Sequence, residues 1–246
     1  GKKLQSYSIE FDNVSFSYDN SREEALNKVS FKLEAGKTLA ILGRTGCGKT
    51  TLLQLITRMY DVSSGAVKVG DIDVRELDLK ILRSHIGVVP QEAFLFSDTL
   101  ENNIRFGKAD TTKAEVENAA KQAAVHNSIM NFSKGYQTII GERGVSLSGG
   151  QKQRMSIARA LIKRPEILLF DDSFSAVDTQ TEEIILSNLK SMSFQSTKIV
   201  VCHRVSSAKN ADFIMVMDDG CIIQYGTHDS LVNAPGHYAD LCKKQL

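Results

Sequence analysis

The chain has 246 residues, which suits one large domain or two small ones and is enough for a hydrophobic core. Its 30 Lys and Arg against 29 Asp and Glu give a formal net charge of +1, which argues against a general binder of nucleic acids or other polyanions. Apolar runs such as Ile167–Phe170 are far shorter than the roughly 20 residues of a membrane span.

The N-terminal part of the chain predicts antiparallel strands that each bury one face. Apolar residues alternate with polar ones within Ile9–Phe16 and again within Val29–Leu33, and this is the period of a half-buried strand. The next apolar stretch, Thr38–Leu42, predicts a short strand that is buried on both faces.

A glycine-rich loop follows this strand and precedes a predicted helix at Thr51–Ile56. It matches the pattern G-x-x-x-x-G-K-[ST] at every fixed position. A strand, a glycine loop and a helix N-terminus form an anion cradle from backbone N–H groups and the helix dipole. We expect Lys49 to reach the terminal phosphates of a nucleotide and Thr50 to ligate Mg²⁺; the alternative is an ordinary glycine turn. The predicted nucleotide contacts are Gly43, Arg44, Thr45, Gly46, Cys47, Gly48, Lys49, Thr50 and Thr51.

The four cysteines are scattered and do not pair at metal-ligand spacing, which favours a reducing compartment. Cys47 is the special case because it lies in the glycine loop, near a helix N-terminus that stabilises a thiolate. The alternative is a small residue that only fills space.

The middle of the chain changes from strands to helices. Glycines bound a predicted strand at Gly65–Gly70, and Pro90 ends another at Ile86–Val89. From about residue 92 to 164 the pattern is helical, with predicted helices over 111–125 and 151–162.

A second helix N-terminus with glycines lies at Leu147–Gln151. Ser148 is a good N-cap, and Gly149 and Gly150 allow a backbone to approach a ligand closely. One nucleotide does not obviously need two such cradles. The alternative is a capped helix with a flexible start.

Apolar strands then return, separated by helices. Predicted strands at Ile167–Phe170, Lys198–Cys202 and Phe213–Met217 are almost continuously apolar, and this alternation is typical of a parallel α/β core. Asp171 ends the first of them, where an acid supports Mg²⁺ in phosphate-loop enzymes. A lone Asp there is usually a turn or cap, so this prediction depends on the glycine loop.

Together these motifs resemble the nucleotide-binding domain of ABC transporters over nearly the whole chain, and Leu147–Gln151 matches the family's signature. The resemblance implies an α/β fold: a P-loop NTPase core of mostly parallel sheet with helices, an N-terminal antiparallel β subdomain and an inserted α-helical signature subdomain. It implies one ABC-type ATP-binding domain over 1–246, with the core at 1–91 and 165–246 and the helical subdomain at 92–164.

The resemblance also assigns roles by position. Tyr18 matches the aromatic that stacks on adenine, Gln91 the glutamine that senses Mg²⁺ and the membrane domain, and His203 the histidine that contacts the γ-phosphate. Ser175–Asp178 matches a loop that crosses the dimer interface, and Gly141–Gly144 resembles a cross-interface segment of exporters. The alternatives are a strand-end aromatic for Tyr18, a surface residue for Gln91, a core histidine for His203 and a helix cap for Asp178.

In this family two domains face head to tail, and the phosphate loop of one and the signature of the other clamp the same ATP. The resemblance therefore implies ATP and Mg²⁺ as cofactors, with Ser148, Gly149, Gly150, Gln151 and Asp178 among the nucleotide contacts of the dimer. It also implies a transmembrane domain that docks near Gln91 and the apolar flank Glu92–Phe96, a place at the cytoplasmic face of a membrane, and no nucleic-acid partner. Gly1 in place of Met, and a domain-like start near Ser8, predict a C-terminal piece of a longer polypeptide.

The chain departs from the family at Asp172, where most hydrolytically competent members carry Glu. Asp and Glu have similar acidity, but Asp is one methylene shorter, and a misplacement near 1 Å can cost about 100-fold in rate. We therefore expect slow hydrolysis, or none, at this chain's own site, with Asp172 as a weakened base. An intact signature beside it resembles one half of a heterodimeric exporter; the alternative is a homodimer that tolerates Asp.

Two functions outside transport also fit parts of the sequence. DNA-repair and chromosome-organising ATPases share the signature, but they usually carry a long coiled-coil insertion, and no heptads of that kind occur here. A regulatory module that binds ATP without hydrolysing it would be consistent with Asp172.

Overall fold

The computed structural model describes residues 2–19, 21–142 and 144–245. Within them the strands are β1 (Ile9–Phe16), β2 (Leu26–Leu33), β3 (Thr38–Gly43), β4 (Ser64–Val69), β5 (Ile72–Asp73), β6 (Ile86–Val89), β7 (Ile167–Asp171), β8 (Thr197–Val201), β9 (Phe213–Asp218) and β10 (Cys221–Gly226). The α-helices are α1 (Lys49–Ile56), α2 (Leu79–Ser84), α3 (Leu100–Arg105), α4 (Lys113–Gln122), α5 (His126–Met130), α6 (Gly149–Leu161), α7 (Thr179–Lys190), α8 (Val205–Ala208), α9 (His228–Val232) and α10 (His237–Gln245). Short 3-10 turns lie at Val74–Glu76 and Gly135–Gln137.

The strands form two sheets, as the sequence predicts. The first has the order β2-β1-β4-β5, and its neighbouring strands are antiparallel. The second has the order β10-β9-β3-β8-β7-β6. Strands β9, β3, β8 and β7 run parallel, whereas β10 returns antiparallel beside β9. This mixed α/β architecture confirms the predicted fold class.

The chain divides into two compact units. The first comprises the described residues of Gly1–Ile86, Glu166–Asp171 and Gln195–Leu246, and the second those of Gly87–Pro165 and Asp172–Phe194. The predicted helical subdomain at 92–164 lies inside the second unit, which also includes α7.

The core of the first unit is built from the alternating residues of the N-terminal strands and the apolar strands of the second sheet. Phe11 and Phe31 stack with ring centroids 4.8 Å apart, opposite each other in the β1–β2 pair. Ile41 of β3 and Ile199 of β8 are fully buried. In the second unit α6 packs against α3 and α4, and the Arg159 side chain donates to the backbone oxygens of Asn103 and Phe94.

The predicted bounds of one helix are wrong for local reasons. The predicted helix at 111–125 is the shorter α4, because Thr112 and Glu115 form a reciprocal capping box at its start and Ala124 takes a left-handed φ of 53° at its end. The helix predicted over 151–162 begins at Gly149, and the predicted Ser148 cap accounts for this start. Every helix within the described residues is too short or too polar to span a bilayer.

Candidate functional site

The glycine loop joins β3 to α1 and approaches neighbouring backbone too closely for side chains. Gly48, which precedes α1, has a φ of 106°, and a Cβ there would lie 2.6 Å from the Ala25 oxygen. A Cβ on Gly43 would lie 2.5 Å from the Met217 oxygen in β9. Only glycine fits at these two positions, so the spacing of the motif follows from packing as well as from ligand chemistry.

Lys49 lies within the loop that it terminates. Its side chain donates to the Gly43 and Arg44 oxygens at 2.5 and 2.8 Å and lies 3.7 Å from Cys47 Sγ. The residue is only 6% exposed. No acidic residue lies in the first turn of α1, so no carboxylate of that turn opposes the positive end of the helix dipole.

Thr50 and Asp171 meet at the end of the loop. Thr50 Oγ1 lies 3.1 Å from each carboxylate oxygen of Asp171. A hydroxyl and a carboxylate are hard oxygen donors, the class that Mg²⁺ prefers, and Mg²⁺ commonly takes only one or two protein ligands besides nucleotide phosphates and water. The two residues therefore fit the predicted metal site, and their role as ligands stays a prediction.

The order of parallel strands explains why the predicted residues come together. Strands β3, β8 and β7 are adjacent and parallel, so the segments that follow them emerge at the same edge of the sheet. The glycine loop follows β3, the turn with His203 follows β8, and Asp171 is the last residue of β7. His203 is exposed, so the alternative of a core histidine is wrong.

Tyr18 is bonded to the helix that follows the glycine loop. Its hydroxyl donates to Gln54 Oε1 at 2.9 Å and lies 2.8 Å from Thr51 Oγ1, which therefore acts as the donor of that second bond. The rings of Phe16 and Tyr60 contact it edge-on, with centroids at 4.9 and 5.3 Å. The predicted nucleotide contacts Tyr18 and Thr51 thus bond to each other, and sequence reasoning missed Gln54.

The signature helix α6 begins with a complete capping box. Gln151 N donates to Ser148 Oγ at 3.2 Å, and Ser148 N donates to Gln151 Oε1 at 3.0 Å. A Cβ on Gly150 would lie 2.8 Å from the Ala176 oxygen, whereas one on Gly149 would lie 3.4 Å from Ala176 Cβ. The second glycine is therefore required by close approach to the Ser175–Asp178 loop of the same chain.

Gln153 is a residue of this unit that sequence reasoning missed. Its side chain donates to Ser175 Oγ at 3.0 Å, accepts from Ala176 N at 2.9 Å, and lies 3.5 Å from the Gln91 oxygen. It is only 6% exposed. The available signal was helical spacing, because it shares the buried face of α6 with Ile157, four residues later.

Asp178 caps α7, as one of its two predicted roles requires. Asp178 Oδ1 accepts a hydrogen bond from Thr181 N at 2.9 Å. Hydrogen bonds from the side chain and the amide of Thr181 hold the pKa of the Asp178 carboxyl below its usual range. Asp172, the residue after β7, has a left-handed φ of 49°. Asp and Asn adopt this conformation more readily than other non-glycine residues.

A pocket of about 340 Å³ lies in the second unit, lined in part by the flank that is predicted to dock a transmembrane domain. Phe94 is 65% exposed beside it. Arg143, of the predicted Gly141–Gly144 segment, lies outside the described residues. The pocket is lined by Ala93–Phe96, Ile140, Gly141, Val145–Leu147 and Lys152.

Comparison with known proteins gives relatives over almost the whole chain. ATP-binding cassette sub-family B member 6 of Homo sapiens is 47% identical over 243 residues, which are 99% of this chain and 29% of that protein. The mitochondrial iron-sulfur clusters transporter ATM1 of Gibberella zeae is 44% identical over 96% of this chain and 34% of its own length. This chain thus spans about a third of these relatives.

A solved structure and a family model agree with these relatives. The structure of a bacterial Atm1-family ABC exporter with ATP bound superposes with a TM-score of 0.93 at 40% identity, covering 99% of this chain and 42% of that one. The ABC transporter family model matches residues 26–175, more than half of the chain. The chain therefore belongs to the ABC transporter family, as a nucleotide-binding domain of the type that Atm1-family exporters carry.

Proposed function

We propose that this chain binds ATP with Mg²⁺ and serves as the motor domain of an exporter. The observation that carries the proposal is the Thr50–Asp171 pair, 3.1 Å apart at the end of the Lys49 loop. A cation, two hard oxygen donors and the N-terminus of α1 are the groups that a magnesium triphosphate needs. The ATP-bound bacterial exporter with the same fold supports this assignment.

Thr50 and Asp171 hold the Mg²⁺, which when bound neutralises charge on the phosphates. Lys49 binds the terminal phosphates, and the loop amides at the start of α1 bind the remaining phosphates of the nucleotide. Tyr18 stacks on the adenine, with its ring held in place by the bonds of its hydroxyl to Gln54 and Thr51. Stacking of this kind is worth about 1–3 kcal/mol in nucleic-acid binders and accepts any base.

A second nucleotide-binding domain completes each site. The amides of Gly149 and Gly150 at the start of α6 contact the partner's ATP, and Ser148, Gln151 and Asp178 border that contact. The side chains of Ser148 and Gln151 each accept from the other residue's backbone N–H in the capping box, which supports a role in holding the Gly149 and Gly150 amides in place. Because ATP joins two positive helix ends, nucleotide binding and dimer formation stabilise each other.

Hydrolysis at this chain's own site is slow. Gln91 and His203 line the γ-phosphate, and Asp172 acts as a base that is one methylene too short. Its left-handed backbone, with φ 49°, suits Asp better than Glu and supports a position adapted to the shorter residue. The partner is therefore a different subunit that carries Glu at this position and uses the signature of this chain.

The transmembrane part lies elsewhere in the transporter. The relatives are transporters of which this chain spans about a third. The exposed Phe94 and the pocket beside it support docking of a transmembrane domain near Gln91. In this proposal the chain lies at the cytoplasmic face of a membrane and has no nucleic-acid partner.

Photolabelling of the complete transporter in lipid nanodiscs tests ATP binding. We expect 8-azido-ATP to label this chain and unlabelled ATP to compete. Lys49→Ala should lower the affinity about 100-fold or more, because it removes two or more charge-assisted hydrogen bonds. Lys80→Ala, an exposed lysine in α2, is the matched control and should leave labelling unchanged. Equal labelling of both variants would contradict the proposal.

Purification of the complete transporter from its native source tests the partner. We expect a second, different nucleotide-binding subunit in the complex. A complex that contains only copies of this chain would overturn the heterodimer while leaving ATP binding intact.

A further inference from the structure

Gln245, the last residue of α10, bonds to the main chain on both sides of Arg204. Its Oε1 accepts from Val205 N at 2.8 Å, and its Nε2 donates to the His203 oxygen at 3.2 Å. Val205 is the first residue of α8, and His203 lies two residues after the end of β8. One amide side chain thus clamps the short segment that carries the predicted γ-phosphate histidine.

Gln245 supplies an acceptor that α8 cannot supply for its own first amide. The first amides of a helix have no partner within the helix, and an N-cap side chain accepts from the second or third of them. Here the acceptor for the Val205 amide comes from 40 residues farther along the chain. Helix α10 therefore helps to fix the His203 segment, in addition to the bond from Cys202 N to the Ile41 oxygen of β3 at 3.0 Å.

The helix α10 is itself firmly anchored. Tyr238 is fully buried, its hydroxyl bonds to His228 Nδ1 at 2.8 Å, and its amide donates to Gln224 Oε1 at 2.9 Å. Cys242, one turn later on the same face, is also buried. Gln245 therefore extends from a helix fixed against α9 and β10, and it holds His203 against a rigid support.

We propose that Gln245 is a positioning residue for His203, and that it sets the preference of this site for a nucleotide with a γ-phosphate over a diphosphate. This inference rests on the proposed function, in which His203 contacts the γ-phosphate. Without Gln245 the segment around His203 shifts, and a shift near 1 Å is enough to weaken such a contact. The adenine and the other phosphates keep Tyr18 and the glycine loop, so ADP binding stays the same.

Competition photolabelling measures this preference without any need for hydrolysis. The complete transporter in nanodiscs is labelled with 8-azido-ATP, label is quantified on this chain alone, and ATP and ADP are titrated as competitors. Gln245→Ala should lower the ratio of ATP affinity to ADP affinity about 3-fold to 10-fold, the worth of one or two neutral hydrogen bonds. Lys244→Ala, an exposed neighbour in α10, is the control and should leave the ratio unchanged.

Two further variants separate positioning from general stability. Gln245→Glu keeps an acceptor for Val205 N but sets a carboxylate against the His203 oxygen, so it should lower the ratio as Ala does even if Ala folds poorly. In a His203→Ala background, Gln245→Ala should cause no additional loss, because both act through one contact.

The outcomes distinguish this inference from the function on which it rests. An unchanged ratio in both Gln245 variants, an equal loss of ATP and ADP affinity, or a full additional loss in the double variant overturns the role of Gln245. If His203→Ala itself leaves the ratio unchanged, the γ-phosphate role of His203 is wrong and the inference fails with it. The Lys49→Ala result reports ATP binding separately from either.

Discussion

The two glycine-bordered helix N-termini of this chain are built differently. Helix α1 is preceded by Gly48, a left-handed glycine that has no side chain to cap the helix. Helix α6 is preceded by Ser148, which exchanges two hydrogen bonds with Gln151. The first amides of α1 therefore receive no side-chain cap and are available to a ligand. In α6 the Gln151 amide bonds to the cap, and the amides of Gly149 and Gly150 are not used by it.

The residues around the N-termini of α1 and α6 also differ. The start of α1 carries Lys49 and Thr50, and Thr50 bonds to Asp171 of β7; these are the residues proposed to bind phosphates and metal. The start of α6 lies against Ala176, with backbone contacts that admit no side chain on Gly150. The two N-termini therefore differ in the side chains that surround them, and the space beside Gly150 is limited by Ala176.

The largest expected effect concerns the chemistry at the α1 site. Asp172→Glu should raise ATP turnover at this chain's own site about 10-fold to 100-fold, because the longer side chain brings the carboxylate to the attacking water. The left-handed φ of 49° at this residue adds a small loss of stability to the same variant. Turnover of the complete transporter, measured by phosphate release, checks this.

Asp71→Glu is the matched control, since Asp71 is exposed and also left-handed, with φ 64°. It should leave turnover unchanged. If Asp172→Glu gives no rise, the length of the side chain is not what limits hydrolysis, and the contrast between an impaired site and an intact signature loses its basis.

The next effect concerns the start of α6, where alanine at two adjacent glycines should change the stability of the chain in opposite directions. Gly150→Ala sets a methyl group 2.8 Å from the Ala176 oxygen, and overpacking of this kind costs about 1–3 kcal/mol. Gly149→Ala meets only Ala176 Cβ at 3.4 Å and gains up to about 1 kcal/mol of helix propensity. Thermal unfolding of the 246-residue chain measures both, and similar shifts for the two variants would show that Ala176 does not require Gly150.

The motifs of the sequence were enough to predict the fold class, because each depends on a local pattern. The main omission among the strands is β10, although Asp219 and Gly220 before it are the pair that typically forms a tight hairpin turn. Both residues have positive φ, 46° and 73°. The turn signal was therefore present, but β10 is less continuously apolar than β9 and its strand pattern is weaker.

The site was less predictable, because its supporting contacts join distant segments. Gln153 bonds to residues 22 and 23 positions away, and Gln245 to residues 40 and 42 positions away. A motif names the residues that touch a ligand, and pairings of this kind follow only from how the strands and helices are arranged. Tyr18 was identified by resemblance, but its bonds to Thr51 and Gln54 belong to the same class.

The smallest expected effects concern two caps in the second unit, one neutral and one charged. Ser148→Ala should cost α6 about 0.5–2 kcal/mol at any pH, because a hydroxyl cap does not titrate in this range. Asp178→Ala should cost stability only where the carboxylate is ionised. Since its folded pKa lies below the usual value of 3.8, this contribution is complete above about pH 4 and is lost as the pH falls through the folded pKa.

Thermal unfolding of the two variants and the unaltered chain at pH 7 and pH 3 separates these caps. The difference between Asp178→Ala and the unaltered chain should shrink at pH 3, while that for Ser148→Ala should persist. If the stability differences of both variants from the unaltered chain shrink at pH 3, low pH changes the stability of the whole unit and does not act through Asp178 alone. If neither falls, the hydrogen bond from Thr181 N to Asp178 stabilises α7 without depending on charge.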